Sequence, residues 1–217
     1  MGYKPLLAHH QRMDADSFLD DLRDAHGTEL SRLSSSKAVY ALTDGEMDGD
    51  AVRAGTAREL HELASVLDGW AGTSETEAAD LFADAAEFAA TSADDFDGEA
   101  PEESAAGVTA DALAACESDR ERLAGAAAAF LVLEELAGQL VGFFVGDADR
   151  TSADEFREFR AELGDYRDEA AALLADHCGD ESDWETAHEV GADVVDGAYD
   201  WYVDTLESMG VEPKNVC

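Results

Sequence analysis

Basic side chains are scarce in this chain. It has 14 lysines and arginines against 51 aspartates and glutamates in 217 residues, a formal net charge of −37. The excess is about one negative charge for every six residues, and it runs along the whole length rather than in a tail. Such a surface repels nucleic acid and anionic lipid, which argues against both as partners. Proline is also rare, at three residues, and no segment alternates apolar and polar residues as a half-buried strand would. The three cysteines, Cys116, Cys178 and Cys217, are an odd number without a recognisable signal peptide. Reduced thiols in a cytoplasm are the expectation. G-x-x-x-x-G-K, G-x-S-x-G, G-x-G-x-x-G and C-x-x-C are all missing. A phosphate-cradling loop, a serine-hydrolase elbow and a zinc ribbon therefore lack support.

What is present is a regular apolar pattern between the acids. Alanine-rich runs and long 3.6-residue periods imply an all-helical protein with one sizeable core. Acids spread over such a pattern fit a folded protein adapted to molar salt, because at about 1 M ionic strength the Debye length is ~3 Å and mutual repulsion is screened. Residues 1–12 stand apart: they hold Lys4, Arg12, His9 and His10 and no acid. They are read as a disordered or non-native extension, with residues 13–217 as a single helical-bundle domain.

Six helices are expected. The first covers residues 14–42, with a break near Gly27; the second 48–70, after a turn at Asp44-Gly45; the third 75–91. Residues 92–107 read as an exposed loop. The fourth and central helix spans 109–145, the fifth 153–178 and the sixth 182–209, where Gly210 stops it. Short links between long amphipathic helices favour an antiparallel bundle. The last two helices carry heptad-like apolar repeats, Phe156 to His177 and Trp184 to Met209. Their width suggests a homodimer surface. The ladder Trp184, Tyr199, Trp201 and Tyr202 belongs to the core or to that interface, with the lining of a ligand cavity as the alternative.

The segment from Gly125 to Val145 is long enough to span a bilayer, yet Glu134, Glu135 and Gln139 lie at its centre. Charge there is costly in lipid, so it reads as the middle helix of a soluble bundle. Glu134 shares a stripe with Leu123, Ala127, Phe130, Ala137, Val141 and Phe144, and a carboxylate on such a stripe needs a partner. Near the turn joining the last two helices, Glu185 and His188 form a Glu-x-x-His spacing with His177 and Cys178 close by. That spacing puts a carboxylate and an imidazole on one helix face.

Three segments resemble a known family. Leu33-Ser34-Ser35-Ser36-Lys37-Ala38-Val39-Tyr40 is similar to a first-helix pattern Glu-Ser-x-x-Arg-x-x-Tyr. Arg58-Glu59-Leu60-His61-Glu62 and Ala85-Ala86-Glu87-Phe88-Ala89-Ala90 stand where two Glu-x-x-His motifs would be. The pattern resembles the rubrerythrin-like branch of the ferritin-like superfamily, in particular its haloarchaeal members, over about the first 90 residues. The resemblance implies a ferritin-like antiparallel bundle with additional helices, and an ancestral di-iron centre. Three ligand positions depart from it, since Leu33, Arg58 and Ala90 hold them. His61, Glu62, Glu87 and Glu134 remain as candidate metal ligands, joined by Glu29 in a divergent site.

The departures suggest a replacement, in which Lys37 or Arg58 pairs with Glu134 and does electrostatically what a metal did. The leading expectation is a binding or structural module of a halophile cytoplasm with no cofactor. The alternative is a divergent di-metal oxidoreductase, using iron or manganese on peroxide or iron as substrate. A weaker one is a small-molecule-binding protein of heme-oxygenase-like type.

Overall fold

A computed structural model describes residues 4–96 and 107–213, and side chains from residue 15 onward. The described residues contain helices and no strand. In order these are α1 (Lys4–Ala25), α2 (Gly27–Leu33), α3 (Ser36–Leu42), α4 (Gly49–Ala71), α5 (Ala78–Asp95), α6 (Ala110–Leu113), α7 (Asp119–Gly146), α8 (Arg150–His177) and α9 (Glu181–Ser208). The all-α fold class follows directly.

The expected first helix is three helices. His26 interrupts it with φ −111° and ψ 30°, and Ser34-Ser35 interrupts it again. Ser35 Oγ donates to Arg32 O at 2.6 Å, the local bonding by which serine competes with helix continuation. Residues 4–12, expected as an extension, share the α1 backbone, which passes Met13 without a break. Asp44 and Gly45 form the expected turn, both at positive φ, 50° and 88°.

Two further boundaries differ. Residues 92–95, expected in a loop, continue α5; residues 97–106 of that loop lie outside the described residues. The central helix starts ten residues later than expected, at Asp119. Ser118 caps it, its hydroxyl accepting from Glu121 N at 3.3 Å while Glu121 Oε2 accepts from Ser118 N at 2.8 Å. This is a capping box, which satisfies two amides of the first turn. The pattern Ser-x-x-Glu before an apolar run was present in the sequence and marks the true start.

The helix α7 is the axis of the fold. Every residue from Leu123 to Leu133 is buried, and its closest neighbours are α8 and α9. It is long and apolar enough to cross a membrane, but the half from Leu123 to Leu133 is buried against other helices of the chain. The helices α4 and α5 form a second hairpin, and α1 lies across α8 and α9. Arg120 of α7 pins the α8–α9 turn, its Nε donating to His177 O at 3.1 Å and its Nη1 pairing with Asp183 at 2.6 Å.

Part of the apolar repeats expected as a dimer surface is buried inside the chain, while Tyr166, Leu173, Trp184, Tyr199 and Met209 stay half-exposed. Phe156, Phe159, Leu163 and Ala170 of α8 are buried, as are Val195, Tyr202 and Leu206 of α9. Phe156 stacks on Phe144 and Phe96, at centroid distances of 5.1 and 4.6 Å. Tyr202 is fully buried and its hydroxyl donates to Pro213 O at 3.3 Å.

Candidate functional site

Glu134 does have basic partners, but they are not the expected ones. Its side chain is 18 % exposed. Arg167 Nη1 donates to Oε2, and Arg160 Nη2 lies 3.8 Å from Oε1. Both arginines sit on α8 seven residues apart, so two helical turns bring them to the same carboxylate. Gly164 lies between them. A Cβ there would stand 3.8 Å from the Glu134 carboxyl carbon, so the helix presents only backbone at that point. Arg167 also pairs with Asp168 at 2.7 Å.

The two residues expected to reach Glu134 point elsewhere. Lys37 Nζ donates to Glu212 O at 2.6 Å, tying α3 to the chain beyond α9. Arg58 donates to Leu42 O at 3.0 Å and pairs with Asp44 at 3.4 Å, closing the α3–α4 connection. Each binds a backbone carbonyl, and that of Arg58 is at the C-terminus of α3, where helix carbonyls lack intrahelical partners.

The candidate metal ligands do not converge. His61 and Glu62 are half-buried on α4, and Glu29 is half-buried on α2. Glu87 is exposed on α5, where it lines an open groove of about 470 Å³ with Asp84, Phe88, Glu162 and Tyr166. Among the described residues, no group of three or more histidine, cysteine, aspartate or glutamate side chains is arranged to hold a metal ion. At the α8–α9 turn the trio His177, Glu185 and His188 is likewise dispersed. Glu185 is exposed, while His188 packs on the Phe18 ring at 5.1 Å, with Nε2 3.8 Å from Asp21.

The most buried acid among the described residues is one the sequence reading passed over. Glu59 is 4 % exposed. Its carboxylate accepts from Val108 N at 2.5 Å, Thr109 N at 3.2 Å and Thr109 Oγ1 at 3.0 Å. Burial pushes its pKa up, against the opposing pull of those three hydrogen bonds. A Cβ at Gly107 would lie 3.0 Å from Glu59 Oε2, so the chain approaches the carboxylate closely there. The signal was the spacing: Glu59 falls seven residues after Val52 and four before Leu63, both fully buried. The Glu-x-x-His register places its two motif positions on Arg58 and His61, on either side of it.

Cys116 is buried, and burial beside Glu121 pushes its thiol up to about 12. A thiol held protonated is a poor nucleophile and metal ligand. Cys178 is half-buried, and Cys217 lies outside the described residues. Of the aromatic ladder, Trp184, Tyr199 and Trp201 pack against the core from its edge. Comparison with protein-family models, with curated protein sequences and with solved structures finds no match.

Proposed function

We propose that the chain is a ferritin-like module of a high-salt cytoplasm that works by binding or scaffolding, with no metal centre. The observation that carries this reading is the ion-pair cluster at Glu134. Two guanidinium groups already neutralise the one carboxylate on the central helix that was a candidate ligand. A divalent cation there would have to displace Arg167 and then find further carboxylates, and Glu87 is on the outer face of α5. The remaining positions of the ancestral pattern, Leu33, Arg58 and Ala90, offer no ligand. The residues present therefore do not fit a di-metal centre.

Elemental analysis of protein purified in molar KCl, without chelator or affinity nickel, tests the reading. The expected result is far below one iron or manganese per chain. About two per chain would overturn it in favour of the di-metal oxidoreductase.

A further inference from the structure

The outer face of α8 between residues 157 and 168 carries a pattern that matches its own reverse. Arg157, Arg160, Ala161, Gly164, Asp165 and Asp168 recur at intervals of three and four, so they share one helix face. Read from the N-terminus, they are two arginines, two small residues and two aspartates. Arg157, Arg160, Ala161, Asp165 and Asp168 are exposed and Gly164 is half-exposed. The other exposed flank of the same helix carries Glu158, Glu162 and Glu169. The adjoining flank of α7 continues the low surface. Arg160 lies over Gly138, with its guanidinium carbon 3.4 Å from where a Cβ would be. At Gly142 a Cβ would meet nothing within 4 Å, and Val145 is 56 % exposed.

We infer that this face binds a second copy of the chain, with the two α8 helices antiparallel across a two-fold axis between Ala161 and Gly164. Arg157 then faces Asp168 of the partner subunit and Arg160 faces Asp165 of the partner subunit, each pair occurring twice. Exposed Ala161 lets the backbones approach, and Gly164, whose Cβ position faces Glu134 of its own chain, adds no side chain at the crossing. Ala171 and Ala175 further along α8 are covered by their own chain, which confines the contact to these three turns and the α7 flank. Charge complementarity selects this occupant. A basic partner would meet arginines on one half of the face, and an acidic one would meet aspartates on the other. An inverted copy satisfies both halves. The present partners of these side chains are local: Asp154 for Arg157, Glu134 for Arg160, Arg167 for Asp168. The Arg157–Asp154 pair is exposed on both sides and contributes about 0–1 kcal/mol. In the other two pairs the residues of this face, Arg160 and Asp168, are the exposed members, 46 % and 64 %, and Glu134 keeps Arg167 when Arg160 turns to the partner.

Sedimentation velocity in molar KCl over a concentration series tests the proposal. Wild type is expected to show a concentration-dependent dimer. R157D/R160D and D165R/D168R are each expected to weaken it by about tenfold or more, and the four-fold swap is expected to restore it. The two double variants change the net charge by four in opposite directions, so general repulsion cannot weaken both. Ala161→Glu, at an exposed position, is expected to weaken the dimer while leaving the helical circular dichroism unchanged. A wild type that stays monomeric to millimolar concentration, folded variants that dimerise as wild type does, or a swap that stays monomeric would each overturn the assignment. None of these readouts depends on metal content.

Discussion

Two carboxylates show how differently a buried acid is accommodated. Glu134 keeps a share of solvent and takes two guanidinium groups; Glu59 is sealed in and takes backbone amides. Removing the Glu59 acceptors would strand two amides, at about 1–3 kcal/mol for each unsatisfied buried group. The pH dependence of the Glu59 contribution follows from the sign of its shift. The folded protein raises its pKa above 4.5, chiefly by burial. Its contribution to stability is therefore fullest below the unfolded value and declines as pH rises through the folded one. Wild type should gain stability relative to Glu59→Gln, which does not titrate there, when the pH is lowered from about 8 to about 5. Denaturant midpoints of the two proteins in constant KCl measure this, and a difference that is flat or moves the other way would refute it. The acid on the most apolar helix was legible in the sequence; its partners were not. Helical period places Glu134 on a stripe, but the choice of Arg167 over Lys37 depends on α8 lying beside α7.

At the scale of helices, close approach decides which glycines matter. A Cβ on Gly55 would stand 2.4 Å from Leu42 O, a backbone atom at the end of α3. The carbonyl has no room to yield, because Arg58 holds it from α4. Gly55→Ala should cost about 1–3 kcal/mol through overpacking. Gly69→Ala on the same helix, where a Cβ meets nothing within 4 Å, should be neutral or stabilising by up to about 1 kcal/mol. Thermal melts of the two variants compare them directly; equal effects would refute the packing account. Element boundaries divide in the same way. The starts of α4 and α9 were legible to within a residue, and Asp48 and Asp180 each accept from the amide three residues on, a local bond written in local sequence. The helix α8 starts three residues before the expected Ala153, because Asp149 rather than Ser152 is the cap, its carboxylate accepting from Ser152 N. The breaks at His26 and at Ser34-Ser35 were less legible. A helix spanning them satisfies the same apolar period, and only the packing of α2 on α9 and of α3 on α4, α7 and α9 rewards the bend.

The whole molecule is dominated by its charge. Local ion pairs absorb many of the arginines, and the acids left over repel one another across the entire surface. At 0.1 M salt the Debye length is about 10 Å and that repulsion reaches between neighbouring helices; at 1 M it is about 3 Å and does not. The melting temperature should therefore rise steeply between 0.1 and 2 M KCl, where a protein of balanced charge would change little. Calorimetry over that range checks it, and a flat profile would remove the case for a high-salt habitat.

Helical class, the identity of α7 as the central element, the starts of α4 and α9 and the acidic surface all follow from the sequence alone. Each rests on composition or on residues within one or two turns of each other. The tertiary structure decided the rest. It packed both α8 and α9 against α7, buried part of their apolar repeats, gave Glu134 to Arg167 and Arg160, and closed Glu59 against Val108 and Thr109. Those outcomes join residues 33 and 49–50 positions apart. No local period encodes which helix lies beside which. That choice comes from burying the whole apolar surface of the chain at once.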